Sequence, residues 1–225
     1  MRARWQQAWR IIRTIYPPIA LFEDIADPSD WELLISATAR SNPRIRDVVG
    51  NLALVPVARR VAGPTASVVM GCFTHCSTDR PGRFSDGRYG VWYAGDRPEV
   101  ALAETAHHFA RFMAATAEPP GFADLQELVA PVRGDWAEAP GACLAPDDWR
   151  SGQAFGGTAR ERGLDGGIYA SVRYPAGRAV AVFWPDGVEL PVTHARQFRY
   201  HWDGARMDRY LVHGTRDWLE GPGNR

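Results

Sequence analysis

Arg83, Tyr93, Glu104, His108 and Ser171 are the residues of this chain whose types and spacing could do chemistry. Glu104 and His108 stand one turn apart if their segment is helical. On an open face such a pair is a solvated contact worth about 0.2–0.5 kcal/mol. If this face instead lines a cleft, Glu104 is its working carboxylate. Arg83 lies in PGRFSDGRYG, where Gly82, Gly87 and Gly90 permit sharp turns or close backbone approach. An arginine there is either an ordinary loop residue or a bidentate grip for a pyrophosphate. Ser171, in IYASVRYP, has no base placed beside it by sequence. It reads as a hydrogen-bonded structural hydroxyl, not a nucleophile.

Other chemistries find no template. The glycine-rich stretch lacks the lysine and Ser/Thr of a P-loop and the G-x-G-x-x-G of a Rossmann turn, and the chain has no G-x-S-x-G, H-E-x-x-H or EF-hand loop. Cys72, His75 and Cys76 invite a zinc reading, but no second Cys/His pair completes four ligands, so no metal is expected and the thiols read as buried on a strand. Three cysteines in 225 residues argue against a disulfide framework and for a reducing cytoplasm. With 26 basic and 26 acidic side chains, nothing global argues for nucleic acid or an anionic membrane. No apolar run approaches the ~20 residues of a bilayer span. The basic start is interrupted by Gln and Arg and lacks the apolar stretch of a secretory signal.

The elements that must position these residues follow from periodicity. Trp5, Trp9, Ile12 and Tyr16 predict a helix over 5–16, ended by Pro17-Pro18 and docked on its own domain. Residues 27–39 predict a second helix capped by Asp27 or Ser29, with a stripe of Trp31, Leu34, Ile35 and Thr38. Residues 42–55 predict a short helix stopped by Gly50. ASVVMGCFTH, from Ala66, reads as a buried strand, and YGVWYAG as a short aromatic one. Asp96 and Glu99 then form a capping-box-like start to a helix whose stripe is Leu102, Ala106, Phe109 and Met113, with Glu104 turned away from it. LQELVAPV predicts a strand, 147–163 a glycine-weakened helix, and 166–184 two strands joined at Pro175-Ala176-Gly177. The expected class is α+β, a mixed or antiparallel core with flanking helices, with residues 1–60 a mostly helical extension and 61–225 the principal domain.

In this order the residues resemble the RES-domain family over about residues 60 to 212. Arg83 matches the arginine of a motif more often written G-R-W-N, Tyr93 the tyrosine closing the next strand, and Glu104 the glutamate of an A-x-x-E helix. His108 matches the histidine one turn on, and Ser171 the serine of Y-P-S-x-R before a hairpin into V-A-V-F. Phe84-Ser85 replaces Trp-Asn, and Ala170 replaces Pro. The resemblance implies a fold similar to that of ADP-ribosyltransferase toxins and a bacterial type II toxin, paired with an Xre-type helix-turn-helix antitoxin, that depletes NAD by hydrolysis or phosphorolysis. It implies catalytic roles for Glu104, Arg83 and Ser171, and NAD contacts from Arg83, Tyr93, Ser171, Phe84, Ser85 and His108. NAD is then substrate, and direct nucleic-acid binding and membrane attachment are not expected. Transfer of ADP-ribose to a protein target, a catalytically silent partner-binding module, and homo-oligomerisation stay open.

Overall fold

The computed structural model describes residues 2–15, 22–23 and 27–222. Its strands are β1 (Arg2–Arg13), β2 (Trp92–Gly95), β3 (Gly121–Glu138), β4 (Gly166–Ala170), β5 (Arg178–Val182), β6 (Thr193–Trp202), β7 (Met207–Val212) and β8 (Trp218–Glu220). The helices are α1 (Trp31–Thr38), α2 (Ile45–Val49), α3 (Ala66–Thr74), α4 (Pro98–Ala115) and α5 (Arg150–Glu161). The strands make one mixed sheet in the order β1-β2-β5-β4-β3-β6-β7-β8, and a further β1–β3 pairing closes its first five strands into a ring. Only β3 and β4 run parallel among the named pairs, and α5 provides their crossover. The α+β class expected from the sequence is the class observed.

Residues 2–13 form a strand, not the expected helix. β1 pairs with β3 from Arg2↔Asp135 to Arg13↔Leu125, with a register shift between Trp5 and Ala8. That bulge reverses the facing of the strand. Ala3, Trp5, Ala8 and Ile12 meet one core cluster, whereas Trp9 and Ile11 meet another. A strand apolar on both faces with one break in parity imitates a helical stripe. Tyr16, Pro17 and Pro18 lie outside the described residues.

The reverse exchange occurs at 66–74, expected as a strand and observed as α3. Its buried residues, Ala66, Val69, Met70, Phe73 and Thr74, follow i, i+3, i+4, i+7, i+8. The capping-box expectation at α4 also fails. Asp96 accepts from Arg97 Nε and Nη2 at 3.1 and 3.2 Å, and the N-cap is Arg97, without a side-chain cap. In α1 the stripe narrows to a buried Trp31 and a half-buried Ile35. Its N-cap is Asp30, while Asp27 accepts from Ser29 N–H and Oγ–H.

Two of the three glycines in the helix at 150–161 are there for a steric reason. A Cβ on Gly152 would stand 2.3 Å from Arg83 O, and one on Gly156 2.0 Å from Phe84 O. The helix therefore lies directly against the Arg83–Phe84 backbone, and Gln153 Nε2 donates to Gly82 O at 3.1 Å. At Gly157 a Cβ would meet nothing within 4 Å. Gly156→Ala is expected to cost about 1–3 kcal/mol by overpacking. Gly157→Ala should stabilise by about 0.4–1 kcal/mol through the unfolded chain. Thermal unfolding of the two variants checks this: their midpoints should move in opposite directions, about 2–4 °C per kcal/mol.

Candidate active site

β1 and β2 share only one register pair, Trp9↔Gly95. A cavity of about 590 Å³ is lined by residues of both strands around that pair, by the 80–83 segment and by the outer face of α4. This is within the usual ligand-pocket range of roughly 300–1,000 Å³. The face of α4 turned from the core at Leu102, Ala106 and Phe109 is the one that brings Glu104, Thr105 and His108 to this cavity.

Glu104 is held from one side. Ser171 Oγ donates to its Oε1 at 2.7 Å and accepts from Tyr174 N–H at 3.0 Å, which fixes the direction of the hydroxyl proton. Arg173 N–H adds a longer bond of 3.4 Å to the same Oε1. Oε2 has no hydrogen bond among the described residues and faces His108 Nε2 at 3.9 Å. Ser171 is 3% exposed and is not part of the cavity wall. It is a positioning residue for the carboxylate.

Arg83 is buried, and its Nη1 donates to Cys143 O at 2.9 Å and Ala145 O at 2.8 Å. No carboxylate is paired with it among the described residues, so its charge remains available to the cavity it lines. The Tyr93 hydroxyl accepts from Phe84 N–H at 3.0 Å, clamping the Arg83 loop from the strand below. Burial pushes the Tyr93 phenol well above its ordinary pKa, so it stays neutral. Phe84 and Ser85, expected as ligand contacts, are placed behind the cavity wall. Phe84 has no exposed surface and packs on Tyr169 and Phe155, with ring centroids at 4.9 and 5.7 Å. Ser85 Oγ donates to Tyr89 O at 2.6 Å and accepts from Gly87 N–H. The pair shapes the turn carrying Arg83.

Periodicity did not reveal three contributors. Arg10 and Arg13 reach the cavity from β1, where the helical reading had hidden them. Trp149, just before α5, lines the cavity and packs on His108 and Arg111. Its loop is tethered by arginines: besides the Arg83 bonds, Arg173 Nη2 donates to Pro146 O at 3.1 Å. The sequence signal was the Asp147-Asp148-Trp149 start to the helix. The zinc candidates do not assemble. His75 contacts Thr74 Oγ1 and Asp47 O, the Cys72 and Cys76 thiols donate to helix carbonyls, and no metal-binding group of three occurs among the described residues.

A buttressed carboxylate and several arginines thus line one cleft. Comparison with known proteins then places the chain. The model of the RES domain matches residues 57–203. The chain is 28% identical over 204 residues to the uncharacterized protein y4oC of Sinorhizobium fredii (strain NBRC 101917 / NGR234), covering 88% of this chain and 84% of that one. Among solved structures, a chain of the M. tuberculosis MbcT-MbcA toxin-antitoxin complex superposes with a TM-score of 0.44 at 12% identity, covering 91% of this chain and 88% of that one. The chain belongs to the RES domain family. No helix among the described residues is long and apolar enough to cross a membrane.

Desolvation in the cleft, then the Arg111, Arg173 and Arg83 charges, push His108 down to about 4. His107 is likewise pushed down to about 4, by desolvation first and Arg173 second. Both rings are neutral at pH 7, so Glu104 and His108 are not an ion pair there. Between about pH 6.5 and 4 the unfolded chain binds these protons and the folded one does not, so stability falls as pH falls. Unfolding midpoints measured across that window should drop more steeply for the native sequence than for a His107→Gln/His108→Gln variant.

Proposed function

We propose that this protein cleaves the nicotinamide–ribose bond of NAD and acts as the toxin of a toxin–antitoxin pair. The observation that carries the catalytic reading is the Ser171–Glu104 hydrogen bond at the wall of a cavity lined by arginines. As the C1′–N bond breaks, its electron pair neutralises the pyridinium, so nicotinamide departs neutral and needs no general acid. The ribose becomes oxocarbenium-like. Glu104 Oε2, free of hydrogen bonds among the described residues, offers a preorganised negative charge to that centre. Ser171 holds the other oxygen in place, and neutral His108 borders the pocket. Arg83, and Arg10 beside Tyr93 O at 3.1 Å, supply cations for the pyrophosphate. Tyr93 forms part of the wall and fixes the Arg83 loop.

Water, phosphate or a protein side chain then takes the ribosyl carbon. Water gives ADP-ribose with release of one proton, and phosphate gives the phosphorylated sugar. The fold likeness to ADP-ribosyltransferase toxins and the Xre-type helix-turn-helix partner rest on the family resemblance and belong to this reading.

Purified protein incubated with NAD, with and without phosphate, should release nicotinamide, with products identified by mass. Glu104→Gln should lower the rate by about 10²–10³-fold, as loss of a preorganised electrostatic group does. Ser171→Ala should cost less, about tenfold, because a hydrogen bond to a charged group is worth roughly 1.5–3 kcal/mol and water partly replaces it. No nicotinamide under any acceptor condition would remove the proposal. Label from NAD appearing on a macromolecule would make the acceptor a protein.

A further inference from the structure

We infer that the cleft holds a second anion subsite, centred on Arg13, for a phosphate monoester carried at the adenosine end of the dinucleotide. The inference rests on the dinucleotide reading above and specifies its substrate as the 2′-phosphorylated form, NADP. The Arg13 guanidinium stands over the rings of Phe109 and Phe112, at 5.0 and 5.7 Å from their centroids. Stacking engages the faces of a guanidinium and leaves its in-plane N–H edges for hydrogen bonding. The Arg13 guanidinium has no hydrogen bond and no ion pair among the described residues, although the residue lines the cavity. Elsewhere the protein pairs arginines with carboxylates through two nitrogens, as in Arg4–Glu189 and Arg199–Asp124.

The position of Arg13 is fixed by the backbone. Arg13 is the last β1 residue in register with β3, opposite Leu125, and the next residue donates from its N–H to Asp124 O at 3.1 Å. Charge also favours a further anion. Among the lining residues Arg10, Arg13, Arg80 and Arg83 face the single carboxylate of Glu104. The pyrophosphate of NAD brings two negative charges and its pyridinium one positive. A phosphate monoester adds about 1.5 to 2 negative charges near pH 7.

Distance decides between two sources of that phosphate. Phe109 and Phe112 lie five and eight positions beyond Glu104 on α4, about 8 and 12 Å along the helix axis. An attacking oxygen must come within about 3–3.5 Å of the ribose carbon. Arg13 stands over rings one to two turns along α4 from Glu104, a placement that favours a phosphate on the distal ribose over orthophosphate acting as the acceptor.

The test compares nicotinamide release from NAD and NADP by the full chain and by Arg13→Gln, together with calorimetric binding of adenosine 2′,5′-bisphosphate, AMP and orthophosphate. We expect kcat/KM for NADP at least equal to that for NAD, and a tenfold or greater fall in the NADP:NAD ratio in Arg13→Gln. The bisphosphate should bind at least tenfold more tightly than AMP. Cleavage of NAD with rejection of NADP, or a ratio unchanged by Arg13→Gln, overturns the subsite. So does orthophosphate stimulation that disappears in Arg13→Gln, because it would assign the cation to the free ion. Should Arg13→Gln fail to fold, the native NADP:NAD ratio and the binding comparison decide. If neither dinucleotide is cleaved, the functional reading fails, and equal binding of bisphosphate and AMP would separately remove the subsite.

Discussion

The 2.7 Å hydrogen bond from Ser171 to Glu104, with a longer one from Arg173 N–H, joins α4 to the β4–β5 hairpin. Ser171 follows the last residue of β4, and its backbone N–H donates to Gly177 O across the β4–β5 hairpin. Its hydroxyl is oriented by Tyr174 N–H, so the hairpin turn sets which way the proton points. Glu104 is thereby fixed relative to the sheet and not merely to its own helix. A carboxylate so held meets developing charge without having to reorganise. The same turn brings Arg173 close, whose charge adds to the desolvation that chiefly holds the neighbouring histidines neutral.

The opposite wall depends on close backbone approach. Gly152 and Gly156 let α5 lie on the Arg83–Phe84 peptide units. Phe84 is sealed beneath, and Tyr93 holds its N–H from the strand side. Substituting Phe-Ser for Trp-Asn after the arginine changes that buried support and leaves the guanidinium in the wall. Arg83 and Arg173 in turn hold the loop that delivers Trp149. The site therefore has two walls, one organised by a hydrogen-bonded carboxylate and one by glycine contacts.

Much of this was legible in residue order. The strand–helix unit carrying Tyr93 and Glu104 reads correctly because Leu102, Ala106 and Phe109 fit one helical face and all are buried. The hairpin carrying Ser171 reads correctly because Ala179 and Ala181 face one cluster while Val180 and Val182 face another. β1 was illegible because a bulge breaks its parity and both its faces meet core. α3 was illegible because an unbroken apolar run erases the contrast between faces, although its buried positions keep helical spacing. Missing β1 as a strand also meant missing Arg10 and Arg13. Phe84 and Ser85 are buried away from the cavity: adjacency to Arg83 says nothing about which way a turn points its neighbours.

The closed ring of strands has a bearing on biosynthesis. β1 is made before its partner β3, which follows more than a hundred residues later. Until then β1 has only its single register pair with β2, Trp9↔Gly95, to hold it, and the wall lined by Arg10 and Arg13 is incomplete. Contacts so distant in sequence form slowly, after the loop between them has closed. The cavity wall is therefore completed only late in synthesis, once β3, β4 and β5 have joined β1 and β2.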